Sequence, residues 1–228
     1  MQWIDDFDFF LFDFDGLLVH TEPFHFQAYR DALSDRGFVL DWSFNDFCSY
    51  AHLGSNFLRD ALYAQLSGFQ ESLPSWETFY KEKQQAYLSL IANKMIDLMP
   101  GVGTLLDHLN EKKINHCVVT HSVMQQVQLI KAKQPKLQQI PHWITREDYN
   151  QPKPSPDGYL CAIERFGKAA KRIIGFEDSF RGLKALCDTP ALPVLICAND
   201  HPQLEGIMPE RAIHFESFDQ LLASATLS

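Results

Sequence analysis

FFLFDFDG, residues 9–16, is the most informative stretch of this 228-residue chain. Four consecutive apolar side chains are typical of a strand that is buried on both faces, as the central strands of parallel sheets are. Asp13 and Asp15 end the apolar run, and Gly16 permits a turn after it. We therefore expect a central strand that delivers two carboxylates to one edge of a sheet.

Other short apolar runs follow, and polar residues come directly after them: residues 116–119, 142–144, 172–176 and 193–197. The segments between the runs have helical periodicity over residues 102–109, 123–133, 157–166 and 180–186. Strands that alternate with helices predict a parallel sheet with right-handed crossovers. The predicted fold class is α/β, a Rossmann-like parallel sheet flanked by helices.

Residues 20–97 break this alternation. They have helical periodicity over residues 24–33, 57–66 and 76–91, and they contain no buried strand pattern. We therefore predict a core catalytic domain formed by residues 1–19 and 98–228, with an inserted helical cap domain at 20–97. Six phenylalanines are expected to form the core of the cap domain: Phe24, Phe26, Phe38, Phe44, Phe47 and Phe57.

Composition excludes several classes of function. With 46% hydrophobic and 21% charged residues the chain can build a folded core. Its 29 acidic and 20 basic residues give a net charge of −9, which disfavours nucleic acid as a partner. An acidic N-terminus without a long apolar run predicts a cytoplasmic chain with no membrane partner. Five cysteines without a Cys-x-x-Cys pair predict free thiols and no zinc. For the oligomeric state we favour a monomer.

The candidate site lies where the predicted strands end, because an open parallel sheet binds its ligands beyond the carboxyl ends of its strands. The polar residues at these ends are Asp13, Asp15, Thr120, Glu177 and Asp178, with Lys153 in a nearby loop. Any one of these carboxylates is equally well explained by solvation or helix capping. Four together repel each other by ~4 kcal/mol per pair at ~4 Å and an effective dielectric of ~20, so they require a cation. Ligands that are all oxygen favour Mg²⁺ over zinc.

The spacing of Asp13 and Asp15 suits phosphoryl transfer. In extended backbone their side chains point the same way, so that one can attack as an ionised nucleophile while the other carries a proton as general acid. Lys153 and Mg²⁺ would offset the charge of a phosphate. The predicted ligand therefore carries a phosphate group.

The chain resembles the haloacid dehalogenase superfamily, specifically the branch that contains phosphoglycolate phosphatase and β-phosphoglucomutase. Four segments carry the resemblance in the family's order: DFDGLLVHTE at 13–22, Thr120, KPSPDGY at 153–159 and GFEDS at 175–179. An Asp-x-Asp-Gly motif alone is weak, whereas four motifs in order are specific. One departure is His20, which stands where the branch usually has aspartate.

The resemblance implies a role for each motif residue. Asp13 is the nucleophile that forms an aspartyl-phosphate, and Asp15 is the general acid and base. Thr120 and Lys153 hold the phosphoryl oxygens. Mg²⁺ binds Asp13, Asp178 and the backbone carbonyl of Asp15. Glu177 is either a further ligand or lies beside the ligands. Three residues next to the motifs are candidates for substrate binding: Gly16, His121 and Ser122. Because the superfamily's dehalogenases lack a carboxylate at the position of Asp15, phosphatase or mutase chemistry is favoured.

Three functions remain open, of which a Mg²⁺-dependent phosphatase of a small phosphorylated metabolite is favoured. A hexose-phosphate mutase is the alternative, because His25 and Lys83 fall at cap positions that β-phosphoglucomutase uses for its sugar phosphate. Arg59 is out of register with that enzyme's phosphate-binding arginine. His25 is equally well explained as a polar residue on a helix face, and Lys83 as a solvated charge. A catalytically silent binding protein is disfavoured because every motif carboxylate and the lysine are present.

Overall fold

The computed structural model of the chain describes residues 2–205 and 208–227. The chain divides into two compact units. We call Met1–His20 with Ile96–Ser228 the sheet unit, and Thr21–Met95 the helical unit. The domain limits predicted from the sequence, after residues 19 and 97, lie within about two residues of these divisions.

The sheet unit is built on a parallel sheet whose strand order is β3-β2-β1-β4-β5-β6 within the described residues. The strands are β1 Phe9–Phe12, β2 Asn115–Val119, β3 His142–Ile144, β4 Ile173–Glu177, β5 Leu192–Ile196 and β6 Ile213–Phe215. The predicted Rossmann-like α/β fold is confirmed. Strand β6 was not predicted, because this edge strand has 3 half-buried residues and therefore no buried apolar run.

Helices surround the sheet and make up the helical unit. The helical unit contains α1 Glu22–Ser34, α2 Phe44–Ala51, α3 Ser55–Gln65, α4 Phe69–Ser72 and α5 Trp76–Asn93. The sheet unit contains α6 Val102–Glu111, α7 Met124–Lys131, α8 Pro135–Gln138, α9 Asp157–Phe166, α10 Phe180–Cys187 and α11 Phe218–Ala223. Short 3-10 helices lie at Gln2–Asp6, Arg146–Asp148 and Pro202–Glu205. Among the residues that the structure describes, no helix is both long enough and apolar enough to cross a membrane.

Strand β1 lies at the centre of the sheet, and all four of its residues are fully buried. Phe12 pairs with Val118 on one side and with Phe176 on the other. The ring of Phe176 stacks on Phe12 at 5.2 Å and on Phe10 at 6.1 Å between centroids. Aromatic side chains on one face of the sheet therefore join β1 to β4, and β1, β2 and β4 end at the same edge of the sheet.

The helical unit has its own apolar core. Of the six phenylalanines predicted there, Phe47 is buried in this core, and three others pack against it: Phe26, Phe38 and Phe44. The prediction is wrong for Phe57, which lies near the start of α3 and is 58% exposed. Helix α2 was not predicted, although Ser43 and Asp46 form a capping box at its start. Aspartate replaces the usual glutamate in this box, and the helix is only 8 residues long.

Candidate active site

The sheet brings the motif residues together at the ends of β1, β2 and β4. The order of the strands changes direction between β1 and β4, which is where open α/β sheets form their binding crevice. Asp13 follows β1 directly, and its backbone N–H donates to the carbonyl oxygen of Phe176 at 3.0 Å. Glu177 ends β4, and Asp178 follows it. The pairing of β1 with β4 therefore places the carboxylates of Asp13, Glu177 and Asp178 side by side.

Lys153 lies buried among the carboxylates. Its Nζ donates to Oδ1 of Asp13, and it lies 2.7 Å from Oε1 of Glu177. It also donates to the carbonyl oxygen of Val119 at 3.1 Å. Burial alone would lower the pKa of Lys153, but the two carboxylates outweigh it and raise this pKa above its usual value. Lys153 therefore stays charged and holds two acidic side chains in place.

Three carboxylates form a candidate metal centre. Oxygen atoms of Asp13, Glu177 and Asp178 all lie within 4.8 Å of one another. With Lys153 they carry a formal charge of about −2, which one divalent cation neutralises. Because every donor atom is an oxygen, the set fits Mg²⁺ better than a softer metal.

The carboxylate of Asp15 lies apart from this cluster, beside β2. Its Oδ2 accepts hydrogen bonds from the hydroxyls of Ser122 at 2.5 Å and of Thr120 at 3.5 Å. Oγ1 of Thr120 in turn accepts the backbone N–H of Ser122 at 2.9 Å. Gly16 follows with φ of 83°, a conformation that favours glycine. The two aspartates therefore have different surroundings: Asp13 faces a lysine, and Asp15 faces hydroxyls.

His121 fixes the loop that carries Lys153. The backbone N–H of Lys153 donates to Nε2 of His121 at 2.8 Å, so this nitrogen carries no proton. Burial, with the nearby charge of Lys153, lowers the pKa of His121 to about 3. The histidine therefore stays neutral at physiological pH. Of the candidate substrate-binding residues, His121 contacts the lysine loop and Ser122 contacts Asp15.

Tyr159 and Gly182 have no predicted role, yet Tyr159 contacts Glu177 and Gly182 leaves space for its carboxyl group. The buried hydroxyl of Tyr159 donates to Oε1 of Glu177, and Nζ of Lys153 lies 4.9 Å from the centre of the tyrosine ring. A Cβ at Gly182 would lie 2.0 Å from the carboxyl carbon of Glu177. Tyr159 is the last residue of the third motif, KPSPDGY. Its place in that motif is the sequence signal that could have identified it as a site residue.

We predict that Gly182→Ala displaces Glu177 and lowers activity by about 100-fold, since misplacement by ~1 Å at a reacting centre has an effect of that size. Gly103→Ala is the matched control, because a Cβ there meets only the side chain of Lys136 at 3.4 Å. Phosphate release from an aryl phosphate, measured against Mg²⁺ concentration, tests the pair. Equal activity in the two variants would show that the space at Gly182 does not matter to the site.

His25 and Lys83 lie in the helical unit and contact each other. Nζ of Lys83 lies 2.8 Å from Nδ1 of His25, whose ring stacks on Tyr87 at 3.9 Å between centroids. Lys83 is only 4% exposed, and its Nζ lies 4.8 Å from the ring centre of Tyr29. The interpretation of Lys83 as a solvated charge is therefore wrong, because aromatic rings cover its ammonium group. Arg59 pairs with Asp60 at 2.8 Å.

Comparison with known proteins identifies the family of the chain. Residues 10–186 match the haloacid dehalogenase-like hydrolases. The chain is 31% identical over 182 residues to (DL)-glycerol-3-phosphatase 1 of Arabidopsis thaliana. The aligned region covers 77% of this chain and 59% of that protein. It is 26% identical to a phosphorylated carbohydrates phosphatase of Thermotoga maritima, over 77% of the chain and 78% of that protein. The crystal structure of CbbY from Rhodobacter sphaeroides in complex with phosphate superposes with a TM-score of 0.75 at 20% identity, covering 94% of this chain and 96% of that one.

The chain therefore belongs to the haloacid dehalogenase-like hydrolase family. The assignment made from the sequence motifs is confirmed, and with it the placement of the chain among hydrolases of phosphoric monoesters.

Proposed function

We propose that the chain is a Mg²⁺-dependent phosphatase of a small phosphorylated metabolite, and that it acts through an aspartyl-phosphate on Asp13. The observation that carries the proposal is the buried Asp13–Lys153–Glu177 arrangement at the end of β1 and β4. Two phosphatases of phosphorylated small molecules, from Arabidopsis thaliana and Thermotoga maritima, are among the relatives of the chain and support it.

The proposed reaction has two steps. In the first, an oxygen of Asp13 forms a bond to phosphorus as the bond between phosphorus and the leaving oxygen breaks, and Asp15 gives its proton to that oxygen. In the second, Asp15 takes a proton from water, whose oxygen attacks phosphorus and releases Asp13 and inorganic phosphate. The hydrogen bonds from Ser122 and Thr120 orient the carboxyl group of Asp15 for both proton transfers.

The carboxylates of Asp13, Glu177 and Asp178 would hold the Mg²⁺. When bound, the ion neutralises the charge of the phosphoryl oxygens, which is a large part of catalysis in phosphoryl transfer. Tyr159 and Lys153 act as positioning residues for Glu177, because each holds Oε1 of its carboxylate.

We expect Mg²⁺ to bind more tightly as the pH rises to about 7. Burial raises the pKa of Asp13 to about 7, so below this pH a proton occupies a carboxylate that the metal requires. The apparent Kd for Mg²⁺ should fall about tenfold per pH unit up to that point and level off above it. Titration calorimetry at constant ionic strength measures the change. A Kd that stays constant below pH 7 would be inconsistent with this coupling.

A screen of phosphorylated metabolites tests the proposed function. We expect Mg²⁺-dependent release of inorganic phosphate from at least one small phosphate monoester, and loss of this release in EDTA. Hydrolysis that continues at full rate in EDTA would contradict the metal requirement. No phosphate release from any small monoester would contradict the phosphatase.

A hexose-phosphate mutase is the second candidate, because His25 and Lys83, the two residues that motivate it, lie 2.8 Å apart in the helical unit. Incubation with β-glucose 1-phosphate and a bisphosphate primer separates the two functions. A mutase forms glucose 6-phosphate, whereas the proposed phosphatase forms only glucose and inorganic phosphate.

A further inference from the structure

A second cluster of metal-ligating side chains lies within the helical unit, in the part of the chain that the structure describes. It consists of Glu22, Cys48 and His52, whose ligand atoms all lie within 4.8 Å of one another. We propose that these three residues form a Zn²⁺ site that is separate from the carboxylate centre of the sheet unit.

The donor atoms suit zinc rather than magnesium. A thiolate, an imidazole and a carboxylate are the three ligand types that protein zinc sites use, and Mg²⁺ does not bind thiolates in proteins. Cysteine and histidine together also exclude Ca²⁺ as the preferred ion. Three protein ligands leave the fourth tetrahedral position to a water molecule.

The backbone holds the three ligands in place. Cys48 and His52 are four residues apart at the end of α2, on one face of the helix, and the N–H of His52 donates to the carbonyl oxygen of Cys48 at 3.0 Å. Glu22 is the first residue of α1. The rings of Phe26 in α1 and Phe47 in α2 pack at 5.1 Å between centroids and join the two helices. The ligands therefore lie on two helices that pack against each other.

The distances allow a tetrahedral ion with small side-chain rotations. Nε2 of His52 already contacts Oε1 of Glu22. Ligand atoms around a tetrahedral zinc are about 3.3–3.7 Å apart, given its bond lengths. For the ion to enter, this contact must lengthen slightly. The thiol of Cys48, whose sulfur lies at most 4.8 Å from the other two ligand atoms, must move inward.

Charge and burial also favour the ion. The side chain of Cys48 is buried, that of His52 is 13% exposed and that of Glu22 is 27% exposed. On binding, the thiol of Cys48 gives its proton to solvent and a sulfur–zinc bond replaces it. One thiolate, one carboxylate and a neutral imidazole balance the +2 charge of zinc, so the occupied site is neutral at this depth.

The sequence alone predicts no zinc site. The spacing Cys48-x-x-x-His52 alone does not match a zinc signature, because the third ligand, Glu22, lies 30 residues before His52 in the chain. The packing of α1 against α2 brings the three residues together.

Cobalt spectroscopy on the full chain tests the proposal. In excess Mg²⁺, which fills the carboxylate centre, one equivalent of Co²⁺ should produce a thiolate-to-cobalt charge-transfer absorption, and one equivalent of Zn²⁺ should remove it. Cys48→Ser should abolish the absorption and weaken Zn²⁺ binding by at least about 100-fold, measured against a chromophoric chelator. Because Glu22 is partly exposed, Glu22→Gln should leave the circular dichroism spectrum unchanged. It should weaken Zn²⁺ binding by at least about tenfold.

Two controls locate the metal. Cys197→Ser removes another thiol near an imidazole, with Sγ 3.7 Å from Nε2 of His214, and it should leave the absorption intact. Asp178→Asn alters the carboxylate centre and should also leave it intact. The proposal is overturned if the wild-type chain shows no thiolate absorption with Co²⁺. It is equally overturned if the absorption survives Cys48→Ser or if Asp178→Asn removes it.

Discussion

Replacing Asp13 with asparagine is expected to lower phosphatase activity by at least about 10⁴-fold. The amide keeps the shape of the side chain but removes the oxygen that would attack phosphorus. It also removes the charge that pairs with Lys153. Hydrolysis of an aryl phosphate in saturating Mg²⁺ measures the loss.

The matched control is Asp5→Asn, an exposed aspartate of the sheet unit that pairs with Lys112 at 3.4 Å. It should retain wild-type activity. Substantial hydrolysis by Asp13→Asn, with an unchanged dependence on Mg²⁺, would show that another group attacks phosphorus.

The second large effect is expected from Lys153→Met, which alters both activity and stability. The buried ammonium holds Asp13 and Glu177, so its removal leaves two buried carboxylates facing each other. Removal of one partner from a buried ion pair costs about 3–5 kcal/mol of unfolding free energy. Activity should fall by at least about 10³-fold, because a charge that offsets the phosphoryl oxygens is lost. Urea unfolding with and without Mg²⁺ measures the change in stability.

Mg²⁺ should stabilise Lys153→Met more than it stabilises the wild type, because the ion replaces the missing positive charge. Lys136→Met is the control, since Lys136 forms an ion pair with Asp107 in which both side chains are exposed. Its expected cost is below about 1 kcal/mol. A similar loss of stability in the two variants would mean that Lys153 is not the centre of a buried charge network.

The apolar runs of β1 and β4, which end at acidic residues, were sufficient to predict a parallel α/β sheet. The order of the strands was not predicted, because the rules for parallel sheets allow more than one order. Edge strand β6 escaped prediction because a half-buried strand of 3 residues has no periodicity to detect. Helix α2 escaped because its capping box uses Asp46 in place of glutamate.

The contacts within the site were less predictable than its residues. The motifs name Asp13, Lys153 and Glu177, but only the fold shows that the lysine lies between the two carboxylates. The contact of Tyr159 with Glu177 depends on how α9 packs on the sheet, against β2 and β3, which no local pattern records. The same holds for Lys83, whose burial among aromatic rings depends on the packing of α5.

Identifying the phosphorylated residue during turnover tests the proposed aspartyl-phosphate directly. Acid quenching during hydrolysis, followed by borohydride reduction, converts an aspartyl-phosphate to homoserine, and tandem mass spectrometry then locates it. We expect homoserine at position 13 in the wild-type chain and none in the Asp13→Asn variant. Homoserine at position 15, or none at all while phosphate is released, would contradict attack by Asp13.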